Sequence, residues 1–247
     1  MTATAGFLRP EHDRIADALA SMNADLLLRC RCFFGGGTAI VLKNGEYRLS
    51  LDVDFLCSDV DGYRTLRIAA VEQGARAFFG EGIETVREFR TDQYGLRAVL
   101  AWEGQRIKFE IVREGRIDID GALDHALGVP LLSVEDQFAE KLLANADRCL
   151  DKSIAYRDAI DLGYLVKNNG GIPSASLNKV DKAYGRDVPR NVERVLRMLT
   201  DPAEVDHAAE TLRMKPEEVW EAAANLSAAA TVAWPEWSFA LPSTPQD

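Results

Sequence analysis

Residues 33 to 57, FFGGGTAIVLKNGEYRLSLDVDFLC, constrain this chain more than any other stretch. Phe33 and Phe34 read as the end of a buried strand. Gly35, Gly36 and Gly37 then remove side chains where the backbone must turn, so amide groups can face a ligand. Thr38 to Leu42 read as the first turns of a helix. A helix start preceded by glycines favours anions, because its free N–H groups and its dipole both attract phosphate. The spacing fits neither G-x-x-x-x-G-K-[ST] nor G-x-G-x-x-G, which disfavours the P-loop and dinucleotide readings. Downstream, Leu51, Val53 and Phe55 alternate with Asp52 and Asp54, the pattern of a strand. The two aspartates are therefore expected on one face, with Cα atoms roughly 6.5–7 Å apart. Carboxylates so placed suit Mg²⁺, which commonly takes one or two of them together with substrate phosphates. A solvated strand face is the plainer alternative. D-x-D alone decides nothing: Asp118 and Asp120 repeat the spacing without a glycine turn upstream.

The whole stretch does resemble a family. A GGT turn, a short helix and R-x-S-x-D-x-D are similar to the nucleotidyltransferase fold. More narrowly, Gly36, Gly37, Thr38, Arg48, Ser50, Asp52 and Asp54 resemble the AbiEii/AbiGii group of nucleotidyltransferase-like toxins. The resemblance implies that the Gly-Gly-Thr turn holds a triphosphate and that Asp52 and Asp54 hold Mg²⁺. Arg48 and Ser50 alternate with Leu49 and Leu51, which places them on the face of the two aspartates. Arg48 is then either an ion-pair partner or a phosphate contact, and the resemblance favours a site role for this pair.

The remaining chain reads as scaffold. Residues 10 to 29 are expected to form one helix, with Pro10 in its first turn and an apolar stripe of Ile15, Leu19, Met22, Leu26 and Leu27. A helix over 63 to 79 is expected to turn Leu66, Ala69, Val71, Ala75 and Phe78 or Phe79 inward. Strands follow at 83 to 90, 95 to 102 and 106 to 112, the last two joined by a Glu103-Gly104 turn. Glu110 alternates with Phe109 and Ile111, beside Lys108. The fold that the chain resembles takes a third acid from a neighbouring strand, as metal ligand or base. Glu110 is the candidate, with Asp118 as runner-up and a hairpin salt bridge as the structural alternative. Residues 121 to 132 read as a linker broken at Gly128-Val129-Pro130.

A helical half follows. One helix is expected from Val134 to about Cys149, with Val134, Phe138, Leu142 and Ala146 inward and Lys141 and Arg148 off that stripe. A second is expected over 153 to 167, ending at Asn169-Gly170-Gly171. There Arg157, Asp158 and Asp161 are neighbours at helical spacing. Lys141, Ala144, Arg157, Asp158, Asp161 and Leu162 resemble the second motif block of the AbiEii group, roughly K-x-x-A … R-D-x-x-D-L. By that resemblance Lys141 approaches the nucleotide phosphates, while Asp161 with Arg157 and Asp158 completes the site or orients Lys141. Ordinary surface pairing is the alternative. Further helices are expected at about 174 to 184, 187 to 199, 202 to 212 and 215 to 229, then a tail bearing Trp234, Trp237 and three prolines.

Composition narrows the functions. A net charge of −10 disfavours a nucleic-acid binder with a broad basic surface but leaves room for a local basic groove among 29 lysines and arginines. No run of 18 apolar residues and no charged-then-apolar leader is present, so a cytoplasmic protein without a membrane span is expected. Cys30, Cys32, Cys57 and Cys149 match no zinc spacing and read as buried thiols. His12, His125 and His207 read as surface or capping residues.

Together these readings give an α/β chain: a nucleotidyltransferase fold with a mixed sheet over residues 1–125, a helical C-terminal domain over 131–233 and a tail over 234–247. The resemblance implies Mg²⁺-dependent transfer of NMP from an NTP. The acceptor is RNA, such as a tRNA end, or a protein, in a toxin role with an antitoxin partner. A small-molecule adenylyltransferase and a non-catalytic nucleotide-binding protein are the alternatives.

Overall fold

The computed structural model describes residues 6–240. The chain forms two compact units. The first takes the chain up to Leu42 and again from Ser50 to Ser133; the second takes Lys43–Leu49 and the chain from Val134 onward.

The first unit opens with α1 (Pro10–Ala20) and α2 (Ala24–Arg29) rather than one helix. The break arises because Asn23 caps a new helix: its side chain accepts the Leu26 N–H at 3.1 Å. Its own N–H donates to the Phe78 carbonyl at 2.8 Å. The chain then runs through β1 (Cys32–Gly35), α3 (Gly36–Lys43), β2 (Val53–Cys57) and α4 (Val60–Gln73). Next come β3 (Ile83–Thr91), β4 (Gly95–Trp102), β5 (Gln105–Arg113), β6 (Gly121–Asp124) and β7 (Val129–Leu132). Among the described residues these strands make one mixed sheet, ordered β3-β4-β5-β2-β1-β7-β6. The β2–β5 and β1–β7 pairs are parallel and the others antiparallel.

Apolar alternation builds the core on one sheet face. Phe34, Phe55 and Phe109 come from neighbouring strands, with ring centroids 5.4 Å and 6.2 Å apart, and are fully buried with Ile15, Leu19 and Leu66. α1 contacts β4 and β5 there, and α4 contacts β2 and β3. The β4–β5 turn is the expected Glu103-Gly104, both at positive φ (46° and 78°). Two further expectations fail. Residues 121 to 132 are the β6–β7 hairpin, which extends the sheet, because Gly128 at φ +73° turns the chain instead of ending the domain. Val71 is exposed and Ala70 is buried instead, because Tyr63, Leu66 and Ala70 form the inward face of α4 at i, i+3 and i+7 spacing.

The second unit is helical: α5 (Val134–Arg148), α6 (Arg157–Asn169), α7 (Ser174–Tyr184), α8 (Asp187–Met198), α9 (Pro202–Leu212) and α10 (Pro216–Ala233). α5 contacts α6, α7 and α8, while α6 packs on α10. That contact needs Gly163, where a Cβ would stand 2.1 Å from the Ala222 carbonyl oxygen. Residues 43–49 join this unit through Tyr47, stacked on Tyr164 at 3.6 Å, and through the Leu49 N–H, which donates to the Leu212 carbonyl at 3.1 Å. α6 starts at Arg157, not 153, because Ala155 and Tyr156 take left-handed φ. Val134, expected inside, is exposed. Trp234 lies near Phe239 and the Arg186 guanidinium stands over Trp237, while the tail beyond residue 240 falls outside the described residues. Among the described residues no helix is long and apolar enough to cross a membrane. All four cysteines are free and buried.

Candidate active site

The glycine turn and the carboxylates meet in the sheet of the first unit. β1 ends at Gly35 and α3 starts at Gly36, which takes φ +68°. A Cβ on Gly36 would stand 2.7 Å from Asp54 Oδ2, so glycine is required both by the turn and by the carboxylate against it. Register then aligns Gly35, Asp54 and Glu110 on β1, β2 and β5. Register partners project to the same face, and neighbouring strands are about 4.8 Å apart. Glu110 is fixed from the other side: Arg97, opposite it on β4, places Nε 2.6 Å from Oε1. A hairpin salt bridge is present, but it joins Arg97 to Glu110, whereas the expected one joined Lys108 to a cross-strand acid.

Asp52 directly precedes β2, because the strand begins at Val53. The alternation expected to reach back to Arg48 therefore stops short of it. Ser50 remains with the first unit, its hydroxyl 2.9 Å from the Thr38 hydroxyl on α3. The Ser50 N–H donates to His12 Nε2 at 3.3 Å. His12 is fully buried, against the expectation of a surface residue. Its spacing with Ile15 and Leu19 on α1 was the available signal. Asp118 and Asp120 are exposed outside any strand, Asp120 facing Arg31 at 3.5 Å.

The donor chemistry of this row suits Mg²⁺. Asp54 offers hard carboxylate oxygens beside the start of α3, Asp52 lies two residues before Asp54 in the chain, and substrate phosphates can complete the coordination. Among the described residues no cluster of three or more His, Cys, Asp or Glu forms a ready-made metal cage.

The other motif block assembles inside the helical unit. Asp161 is fully buried on α6 and takes Arg48 in two bonds, Nε to Oδ1 at 2.7 Å and an Nη to Oδ2 at 2.9 Å. Tyr47 donates its hydroxyl to Oδ1 at 2.6 Å. Lys141 Nζ lies 2.7 Å from Asp161 Oδ2 and 2.9 Å from Asp158 Oδ1. Arg148 forks onto Asp158 at 2.6 and 2.9 Å. Burial alone would raise both carboxyls. Lys141 and Arg148 outweigh it at Asp158, Arg48 and Lys141 at Asp161, and both lie below the usual range. Burial and Asp161 push the Tyr47 hydroxyl well up. Arg157, expected in this group, is half-buried at the helix start and pairs with neither aspartate. Lys141 lies off the apolar stripe as expected but is buried, because two carboxylates hold it.

A family profile described as "Nucleotidyl transferase AbiEii toxin, Type IV TA system" matches residues 17–238, spanning both groups. The chain belongs to the AbiEii family. It is accordingly a nucleotidyltransferase. Among solved structures, a provisionally assigned nucleotidyltransferase from H. pylori superposes with a TM-score of 0.50 at 18% identity, covering 91% of this chain and 94% of that one. An antigenic nucleotidyltransferase-like protein from Paracoccidioides brasiliensis gives 0.49 at 15% identity, covering 82% and 94%. The first likeness supports the AbiEii chain's nucleotidyltransferase fold. No curated protein matches.

Proposed function

We propose that this AbiEii protein transfers a nucleoside monophosphate from an NTP to a macromolecular acceptor, RNA or protein, with Mg²⁺, as the toxin of a toxin–antitoxin pair in the cytoplasm. The observation that carries the reading is the row Gly35, Asp54 and Glu110, closed by Arg97. It puts an amide-rich helix start beside carboxylates on one sheet face. Gly36, Gly37 and Thr38 hold the triphosphate with backbone N–H groups and the α3 dipole, and Ser50 fixes the Thr38 hydroxyl. Mg²⁺ bound by Asp52 and Asp54, with Glu110 as further ligand or base, supplies positive charge against the charge that develops on phosphate. The acceptor hydroxyl attacks the α-phosphorus, a new P–O bond forms, the bond to the β-phosphate oxygen breaks, and pyrophosphate leaves. The hydroxyl proton passes to Glu110 or water.

In the buried group, Arg48 and Arg148 each already satisfy one aspartate with two bonds. Lys141 joins both aspartates, and from the family motif alone we assign it to charge neutralisation on phosphate. Arg48, Asp158 and Asp161 serve by holding it, and Arg157 has no assigned contact. The test is incubation with each α-labelled NTP, Mg²⁺ and total bacterial RNA. Label in a polymer that vanishes with Asp54→Ala is the expected result. Equal labelling by the folded variant would sink the proposal.

A further inference from the structure

The sheet face that carries Asp54 and Glu110 continues across β5, β4 and β3. The first row runs on from Glu110 to Arg97 and Arg90. A second row beside it reads Lys108, Val99, Arg87, and a third reads Arg106, Ala101, Glu84. The register shifts in β3 are what bring both Arg87 and Arg90 to this face. Arg87, Arg90, Arg106 and Lys108 are exposed. Among the described residues none of these four makes an ion pair with a carboxylate, whereas Arg97 is held by Glu110 and Asp92.

This basic face is not a by-product of composition. The chain has 39 acids against 29 lysines and arginines, yet beyond Asp54 and Glu110 the face offers Glu84, and Asp92 at its edge, against five bases. Arg90 stands directly opposite Arg97, and like charges so placed cost stability. The nearby Glu88 points away, toward Gly74. The other face of the same strands is apolar core. From β2 to β3 the face spans about 14 Å.

Resting on the transferase reading, we propose that the exposed face of β3, β4 and β5 binds the sugar–phosphate backbone of a single-stranded RNA acceptor next to its reacting hydroxyl. Arg87, Arg90, Arg106 and Lys108 contact phosphates. Arg97 orients Glu110 and forms the border between the RNA track and the metal-binding carboxylates. A small acceptor would not need bases in three successive rows.

The test compares the full chain with a variant in which Arg87, Arg90, Arg106 and Lys108 are all changed to Gln. A charge-matched control changes Arg29, Arg64, Arg67 and Arg76, exposed residues outside these strands. Binding of a labelled single-stranded oligoribonucleotide and of total tRNA is titrated against salt without NTP. The face variant is expected to bind at least about tenfold more weakly, with a log–log salt slope shallower by about 2–3. The control should keep the native slope, and only the face variant should raise KM for RNA while leaving KM for the NTP unchanged. Unchanged affinity and slope in the face variant would overturn the proposal, as would a native protein that labels protein and not RNA. Because binding is read without NTP, this result is separate from the Asp54→Ala test: loss of RNA binding with no transfer by the native chain would fault the chemistry, and transfer with a dispensable face would fault the surface.

Discussion

Two pairs of acids sit close together in this molecule, and their surroundings are opposites. Asp54 and Glu110 lie side by side on parallel strands, half-buried, with Arg97 at the outer edge. Asp158 and Asp161 are fully buried and share Arg48, Lys141 and Arg148, three cations for two anions. Spacing does not decide what such pairs do; counter-charge does. The first pair lies on a half-buried sheet face at the start of α3, where we propose that a metal binds. The second is saturated, each carboxylate being held by an arginine and by Lys141 in a dry site.

Asp161→Leu should break the comparison most sharply on the stability side. It strands Arg48, Lys141 and the Tyr47 hydroxyl, and a cost of about 3–5 kcal/mol is expected in urea unfolding. A cost below about 1 kcal/mol would show that the pair is not saturated in the sense argued.

Gly36→Ala acts on the other pair. It forces an Ala to φ +68° with its Cβ against Asp54. A loss of about 1–2 kcal/mol is expected, with transfer falling much further because the displaced carboxylate is the proposed metal ligand. Proportional losses of both would remove the distinction. Lys141→Met sharpens the role proposed for Lys141. Each aspartate keeps its arginine, so the stability cost should stay near about 1 kcal/mol while KM for the NTP rises. A cost equal to that of Asp161→Leu would make Lys141 a structural counter-ion.

Acid provides the gentlest test. Asp158 and Asp161 have folded pKa values below their unfolded ones. Their contribution is full above the unfolded value of about 4 and is lost as pH falls through the folded values. Native stability should hold from about pH 7 to about pH 5 and decline below about pH 4. A variant with Asn at both positions should lose that part of the decline, read as the pH dependence of the urea midpoint.

Much of this was legible in the sequence because local rules carried it. Period-2 alternation placed β4 and β5 with their turn, and prolines placed the starts of α9 and α10. Glu110 was legible as a face residue, and the structure adds that its neighbour is Asp54. What stayed hidden depended on tertiary partners. Arg48 alternates with Leu49 like a strand residue, yet residues 43–49 belong to the helical unit, where Asp161 claims the guanidinium. His12 looked like one polar residue near a helix start, and its burial depends on tertiary partners such as the Ser50 N–H, 38 residues away. The β6–β7 hairpin resembled a linker because a short strand with a proline carries little pattern; its pairing with β1 is non-local.

The most direct measurement sets transfer against stability for one substitution in each pair. Purified native protein, Asp54→Asn and Asp161→Asn are assayed with α-labelled NTP, Mg²⁺ and RNA, and each is unfolded in urea. The account predicts that Asp54→Asn keeps native stability and loses transfer on the order of 10³-fold or more, while Asp161→Asn unfolds at clearly lower urea. Full transfer by a stably folded Asp54→Asn would contradict the account.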